Sequence, residues 1–448
     1  MFSYLPHTEE DIAAMLEAVG VTRLEELFRD VPPELLLRGP LDLPPGLPEH
    51  EVMLHMKELA RRNSCGAACY LGAGSYDHLI PAAVEHALGR SEFYSSYTPY
   101  QAEMSQGILQ AIFEFQTLMC ELTGLEVSNA SLYDGHTAAC EAAALALNSV
   151  RRSDTVLYAA TLHPFTRKVL RTHFSHLDVR LEEVAAREGC LDGEELQRRL
   201  RPGVAALIVQ SPNFFGCLED LSGLAEGLHA VGALLVVSAS PLSLGALRSP
   251  GEWGADVAIG DTQPLGLHPY FGGPSVGYIT AARPLLHKMP GRIVGQSMDS
   301  QGRRAFLLTL QAREQHIKRE RATSNICSNQ ALAALATTVY LASLGRQGLR
   351  EVAEQNLQKA HYLQQRLLSE LPVKPLHERP FFNEFALLLP VAAASVLKRM
   401  EQEGIFGGVE LCRLEESAPE EALLVAVTEK RSREELERYV AALGRALS

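Results

Sequence analysis

The sequence predicts an α/β protein with a large domain on a mainly parallel sheet, followed by a smaller α+β domain. Short apolar, β-rich runs recur at 155–159, 205–210, 233–237, 256–260 and 276–280, most of them separated by helical-length segments such as 221–231. That is the pattern of strands buried on both faces and joined by helices. Ahead of them Ile108, Ile112, Phe115, Met119 and Leu122 fall on one helical face and predict a core helix. Past about residue 330 the pattern changes to a long helix-rich stretch and then alternating strands and helices, which predicts a separate small domain.

The elements follow in order. Thr8 with Asp11 predicts a capped amphipathic helix carrying Ile12, Met15, Leu16 and Val19, and the proline-rich stretches 31–34 and 43–48 then break the chain. Residues 1–65 therefore read as a helical and extended arm with too few apolar residues for a core of its own. The large α/β domain is expected over 66–300. Within it Thr123 and Gly124 end the core helix with a residue suited to a left-handed cap. A second helix should start at Asp134 and Gly135, and its alanines (Ala138, Ala139, Ala142, Ala143, Ala144, Ala146) let a neighbouring backbone approach closely. Residues 301–330 are expected to be a connecting segment with a charged helical region at about 303–323. The small domain, 331–448, should run from a long helix (328–370) to a strand at 385–389, a helix near 392–403, a strand at 422–427 and a last helix from Ser432.

Composition excludes several classes of function. A chain of 448 residues, 46% hydrophobic and 21% charged, buries a large core and has the size of an enzyme or enzyme subunit. Forty-one Lys and Arg against fifty-four Asp and Glu leave a net charge of -13, which repels a phosphate backbone unless the cations cluster. The densest basic stretch, Lys318, Arg319 and Arg321, is interrupted by Glu320. No apolar run reaches membrane-spanning length, and the acidic start does not resemble a signal peptide, so a cytoplasmic location is expected. Eight cysteines are too few for a disulfide scaffold, and Cys65 and Cys69 have no second pair to complete a zinc site. No metal is expected.

Three segments narrow the reading. The first is Tyr97-Thr-Pro-Tyr-Gln-Ala-Glu-Met-Ser-Gln-Gly107, continuing through 121–135. The second runs from Ser240-Pro-Leu-Ser-Leu-Gly-Ala246 and Gly251-Glu-Trp-Gly-Ala-Asp-Val257 to Gln263-Pro-Leu-Gly266 and Phe271-Gly-Gly-Pro274. The third is Arg313-Glu-Gln-His-Ile-Lys-Arg-Glu-Arg-Ala-Thr-Ser-Asn-Ile-Cys327. Together, and nearly end to end, they resemble subunit 1 of the split P-protein of the glycine cleavage system, a decarboxylating, aminomethyl-transferring glycine dehydrogenase.

The resemblance implies a fold-type-I pyridoxal-phosphate architecture: a seven-stranded sheet in the large domain and a small C-terminal domain. It implies a heteromer with a homologous subunit 2, in which glycine is held as a Schiff base, CO2 is released and the aminomethyl group passes to the lipoyl arm of the H-protein. The T-protein and L-protein complete that system.

The residues qualify what this chain contributes. Coenzyme chemistry of this kind needs a lysine amine near a strand end, ahead of a glycine-rich turn. After the run 256–260 this chain reads Asp261-Thr-Gln-Pro-Leu-Gly266, where the catalytic half of the family carries His-Lys-Thr, so Gln263 or Pro264 stands at the lysine position. The chain has eight lysines and none between Lys168 and Lys288. The strand end that usually faces the pyridinium nitrogen with an acid reads Val236-Val-Ser-Ala-Ser240. Asp134, as a helix cap, would set its own carboxylate where a phosphate binds, although Ser131, Tyr133 and Thr137 could still bond something nearby.

No covalent coenzyme is therefore expected on this chain. Pyridoxal phosphate is expected on subunit 2, with this chain completing an interface site. The candidates are Tyr97, Thr98, Tyr100, Gln101, Glu103, Ser105 and Gln106, ahead of the core helix, together with Arg321, Thr323, Ser324 and Asn325. Arg321 is a possible clasp for the glycine carboxylate. For both groups the plainer expectation is helix capping and interface pairing. His163 is expected to pack, and Arg167 with Arg171, like Glu314 with Lys318, to lie on solvated faces. The alternative function is a catalytically silent scaffold or regulator that only stabilises subunit 2.

Overall fold

The five apolar runs assemble with two further strands, the first and third in chain order, into one seven-stranded sheet: β1 (Val127–Ser128), β2 (Thr155–Ala159), β3 (Arg180–Val184), β4 (Val204–Gln210), β5 (Leu234–Ser238), β6 (Val257–Asp261) and β7 (Gly277–Ala281). In this computed structural model the spatial order is β1-β7-β6-β5-β4-β2-β3. Strands β3, β2, β4, β5 and β6 are parallel, whereas β7 runs antiparallel to β6 and β1. Residues 4, 6–37, 39–63, 66–93 and 98–448 are described, and the chain divides into two units, 1–65 and 66–448.

The sheet is buried on both faces because alternate residues of its central strands face two different cores. Val156, Tyr158, Ala206, Ile208, Val236, Val257 and Ile259 meet the alanine face of α2 (Gly135–Ser149), with Leu170 and Phe174 of the helix Pro164–Phe174. Leu157, Leu207, Val209, Leu235 and Val237 pack on the opposite side with Leu196, Leu221 and Leu228. The edge strand β3, Arg-Leu-Glu-Glu-Val, fully buries only Val184, and β1 has two residues. Neither gave an apolar run, and both lay outside the expected set.

The expected core helix is α1 (Gln106–Thr123), which ends at Gly124 with φ 70° and buries Ile108, Ile112, Phe115 and Met119. In 1–65, the helix Glu9–Val19 carries a full Thr8–Asp11 capping box. In the C-terminal part the long helix Ala331–Glu370 breaks at Gly345, where φ is 61°. A four-stranded antiparallel sheet there includes Glu384–Leu388 and Ala422–Ala426, backed by helices Ala393–Gln402 and Arg433–Leu447.

One expectation is corrected. Much of the charged stretch at 303–323 is not helical: Arg304–Thr309 pairs antiparallel with Ile293–Met298, and only short turns follow at Gln311–Arg313, Gln315–Lys318 and Arg319–Arg321. The hairpin turns where Asp299 accepts from the amides of Gln301 and Arg303. Phe306 and Leu308, two apart, join Ile108, Leu109 and Ile112 in one cluster. Period-two burial decided the outcome over the abundance of charge.

Candidate active site

In a sheet of this topology ligands bind beyond the carboxyl ends of the parallel strands. There the chain leaves a cavity of about 110 Å³, walled by Gly74, His136, His163, Gln210, Asp261 and Glu384, with Ser238, Ala239, Ser240 and Pro264 among its lining.

Each charged or titratable wall group is fixed. His163 follows β2 and caps the helix Pro164–Phe174: its Nδ1 accepts from the Phe165 amide at 3.1 Å, which leaves Nε2–H to donate to the Ala73 carbonyl at 2.9 Å. Burial, then the neighbouring His136, lowers its pKa to about 4, so the ring is neutral. Its amide donates to Gln210 Oε1 at 3.0 Å. The expected packing role is thus joined by a capping one. His136 contacts Thr166 Oγ1 at 2.7 Å through Nδ1, and burial lowers its pKa too. Glu384 accepts from the Ala73 amide at 2.7 Å and from the Tyr76 hydroxyl at 2.9 Å, while burial raises its carboxyl to about 7.

The helix end that would cradle a phosphate is taken by carboxylates. Asp134 Oδ1 accepts from the Thr137 amide at 2.8 Å, as expected of a cap. Asp261, at the end of β6, occupies the next donor: its Oδ2 accepts from Gly135 N at 3.0 Å, and its Oδ1 from the amides of Gln263 at 2.8 Å and Val276 at 3.2 Å. Burial, the largest influence, raises its pKa against those three hydrogen bonds.

These residues do not fit pyridoxal phosphate. Among the described residues no lysine lines the cavity, and Pro264 is at its wall. Gln263 is buried and turned to the Leu267 carbonyl. Two carboxylates hold the first amides of α2, and the volume falls below the ~300 Å³ typical of small-molecule sites.

The other candidates lie elsewhere. Tyr97 is outside the described residues. Gln106 is a clamp, accepting from the Phe306 amide at 2.9 Å and donating to its carbonyl at 2.7 Å. Thr98 is half-buried, Ser105 is buried at the start of α1, and Gln101 and Glu103 are exposed. Arg321 is exposed, 3.9 Å from Glu320 and set for no buried clasp. Thr323 and Ser324 line a small cavity of about 50 Å³ with Arg313, Glu314 and Lys318, and Asn325 is exposed.

Tyr100 is the candidate that meets a charge: Arg292, buried at the start of the strand Ile293–Met298, donates from Nη2 to its hydroxyl at 3.0 Å. Glu314 is corrected from solvated face to buried group, its Oε2 3.7 Å from Arg292 Nε. Arg167 is likewise largely buried, in contact with Glu415 and 3.4 Å from Glu183. Sequence reasoning missed Arg292 and Glu384. Their one local signal is a lone charge inside an apolar run, Pro290-Gly-Arg-Ile-Val294 and Phe381-Phe-Asn-Glu-Phe385.

Among the described residues no cluster of His, Cys, Asp and Glu is placed to hold a metal ion, and no helix is long and apolar enough to cross a membrane.

A sequence profile of the glycine cleavage system P-protein matches residues 2–443. A protein of Carboxydothermus hydrogenoformans named "probable glycine dehydrogenase (decarboxylating) subunit 1" is 50% identical over 98% of this chain and 99% of its own length. One of the same name from Moorella thermoacetica is 49% identical over the same shares. A crystal structure of glycine decarboxylase (P-protein) of the glycine cleavage system, in inhibitor-bound form, superposes with a TM-score of 0.89 at 43% identity and full coverage of both chains. Sphingosine-1-phosphate lyase of Burkholderia pseudomallei, 16% identical over 92% of this chain and 93% of its own with a TM-score of 0.65, shares the fold. A sheet in this order, a cavity at its strand ends and similarity to subunit 1 proteins over nearly the whole length lead to one conclusion: the chain belongs to the glycine cleavage system P-protein family, as subunit 1 of a decarboxylating glycine dehydrogenase.

Proposed function

We propose that this chain is the half of a two-subunit glycine decarboxylase that carries no coenzyme, and that it completes a reaction site whose anchoring lysine lies on subunit 2. The assembled enzyme releases the glycine carboxyl as CO2 and passes the aminomethyl group to the lipoyl arm of an H-protein, in the cytoplasm, upstream of the T-protein and L-protein. The chain's part is to wall the site: the segment from Thr98 to Gln106, tied to Phe306 through Gln106 and to Arg292 through Tyr100, orients glycine and keeps water out.

The observation that carries this reading is the occupied helix end. Gly135 N and Thr137 N, two of the free amides that would bind a phosphate, already donate to Asp261 and Asp134. Without an amine and without a phosphate cradle the cavity has lost both handles of the coenzyme.

The test uses the chain alone and then the heteromer. Incubated with pyridoxal phosphate, the lone chain should give no imine absorbance and no glycine-dependent CO2 exchange. In the reconstituted heteromer, borohydride reduction and peptide mapping should place the label on subunit 2. A label on a peptide of this chain overturns the reading.

A further inference from the structure

Four side chains from three stretches meet under the segment ahead of α1. Arg292 is only 2% exposed and is always charged. Its Nη2 donates to Tyr100 Oη at 3.0 Å, and its guanidinium carbon lies 5.3 Å from the Tyr100 ring centre. Glu314 Oε2 is 3.7 Å from Arg292 Nε and 3.7 Å from His316 Nδ1. The His316 ring stands edge-on to Tyr100, with centres 5.9 Å apart.

The pair beneath Tyr100 does not close. At 3.7 Å it is beyond hydrogen-bond reach, and Arg292 Nε and Nη1 and Glu314 Oε1 have no hydrogen-bond partner. A buried pair serving stability alone is expected to satisfy these atoms, because each orphan leaves its desolvation uncompensated. The bond that does form is the one to Tyr100, and the backbone around it is tied down by side-chain hydrogen bonds. Gln116 exchanges both its amide groups with Val294, at 3.0 and 2.9 Å, and Arg313 donates to the carbonyls of Leu310, Met289 and Gly291.

That bond fixes where the phenol can donate. A tyrosine hydroxyl has one hydrogen, and a guanidinium offers only donors. With Arg292 supplying the hydrogen on the inner side, the Tyr100 hydrogen must point away from it. Tyr100 as a whole is 54% exposed, so the side away from Arg292 is open to an anionic oxygen that can accept that hydrogen.

We propose that Arg292 is a positioning residue that holds Tyr100 as an outward hydrogen-bond donor to the carboxylate of the substrate, at the junction of Tyr100 with Arg292 and Glu314. This rests on the reading that the chain walls the glycine site. It moves the carboxylate contact from Arg321, which is exposed, to Tyr100, with Arg292 behind it.

The experiment uses the reconstituted heteromer with pyridoxal phosphate and H-protein, following CO2 exchange against glycine concentration. Tyr100→Phe should raise the KM for glycine about tenfold to a hundredfold with kcat within twofold, the size expected for a hydrogen bond to a charged group. Arg292→Lys, which keeps the charge but loses the planar fork, should give the same split, and the double variant should add nothing further. If Tyr100→Phe raises KM while Arg292→Lys leaves it within twofold, the proposal is overturned and the wider reading of the site stands. If Tyr100→Phe changes nothing in an assembled, active enzyme, the proposal and the assignment of this segment to the site fail together. Should Arg292→Lys fail to assemble, Arg292→Gln, whose amide can still reach the Tyr100 oxygen, replaces it. Failure of both to assemble overturns the proposal in favour of a purely structural cation.

Discussion

The cavity at the strand ends and the edge beneath Tyr100 both bring a buried carboxylate together with histidine and hydroxyl groups, the edge adding the buried Arg292, but they differ in how their polar atoms are used. In the cavity Asp261 accepts three amides, Glu384 two donors, and both nitrogens of His163 are engaged. At the edge, Arg292 keeps two nitrogens and Glu314 one oxygen without partners. A polar cluster that satisfies itself holds a fold together and leaves little for a ligand to bind. One that is buried and still unsatisfied is incomplete within its own chain. The difference teaches that the polar groups at the strand ends are largely spent on the fold itself, whereas Arg292 and Glu314 beneath Tyr100 keep polar atoms that nothing in this chain engages.

The largest expected effect tests whether the cavity is as closed as this comparison requires. Gly216, in its wall, has φ +84°, and a Cβ there would lie 1.9 Å from the Glu384 carbonyl oxygen. Gly216→Ala therefore meets backbone on both counts, and a loss of about 3 kcal/mol is expected from strain and overlap together. Urea denaturation of the chain measures it. A loss under about 1 kcal/mol would mean that the wall yields, and the contrast with the edge would weaken.

The next effect is a pH dependence. In the folded chain burial holds the Glu384 carboxyl to about 7, against an ordinary value of 4.5. Between those values the native state keeps a proton that the unfolded chain has lost. Stability therefore falls as pH rises from about 4.5 to about 7, by about 3 kcal/mol in all, and then levels. Glu384→Gln should lack that decline, so the variant gains on the natural chain from pH 5 to pH 8. Glu141, also raised to about 7 by burial, adds a decline of the same sign, and His163, lowered to about 4, a rise between about 4 and 6.5. Both contributions are common to the two proteins and cancel in the difference. Parallel stability curves would show that Glu384 is ionised in the fold and the cavity wetter than its geometry implies.

Much of the frame beneath this comparison is legible in the sequence, and the reason is locality. The helix through Ile108, Ile112, Phe115 and Met119 announces itself by period, its end by a glycine that takes φ 70°, and the inner strands by unbroken apolar runs. The hairpin at 293–309 was hidden because Arg303 and Arg304 mask the alternation of Phe306 and Leu308. The site divides in the same way. Asp134 could be read as a cap because its partner, Thr137, is three residues away. Arg292 meets Tyr100 across 192 positions, and Glu384 meets Ala73 across 311. No local pattern marks either pairing. Arg321 has the chemistry to clasp a carboxylate, but the fold puts it at the surface beside Glu320.

The smallest effect sharpens the comparison most, because it asks how many charges keep the helix end shut. Asp134→Ala removes a side-chain cap and should cost about 1 kcal/mol, whereas Asp134→Asn keeps a capping oxygen and should cost a few tenths. Thermal denaturation of the two variants separates the hydrogen bond from the charge. Neither should let the lone chain bind pyridoxal phosphate in equilibrium dialysis, because Asp261 still holds the amide of Gly135 and, through Gln263 N and Val276 N, is itself tied to the turn after β6. If Asp134→Asn alone admits the coenzyme, a single carboxylate was barring an otherwise intact cradle, and the cavity belongs with the edge as a site kept open. If it does not, the closure is shared between a cap and a strand end, and reopening it would require undoing the fold at both.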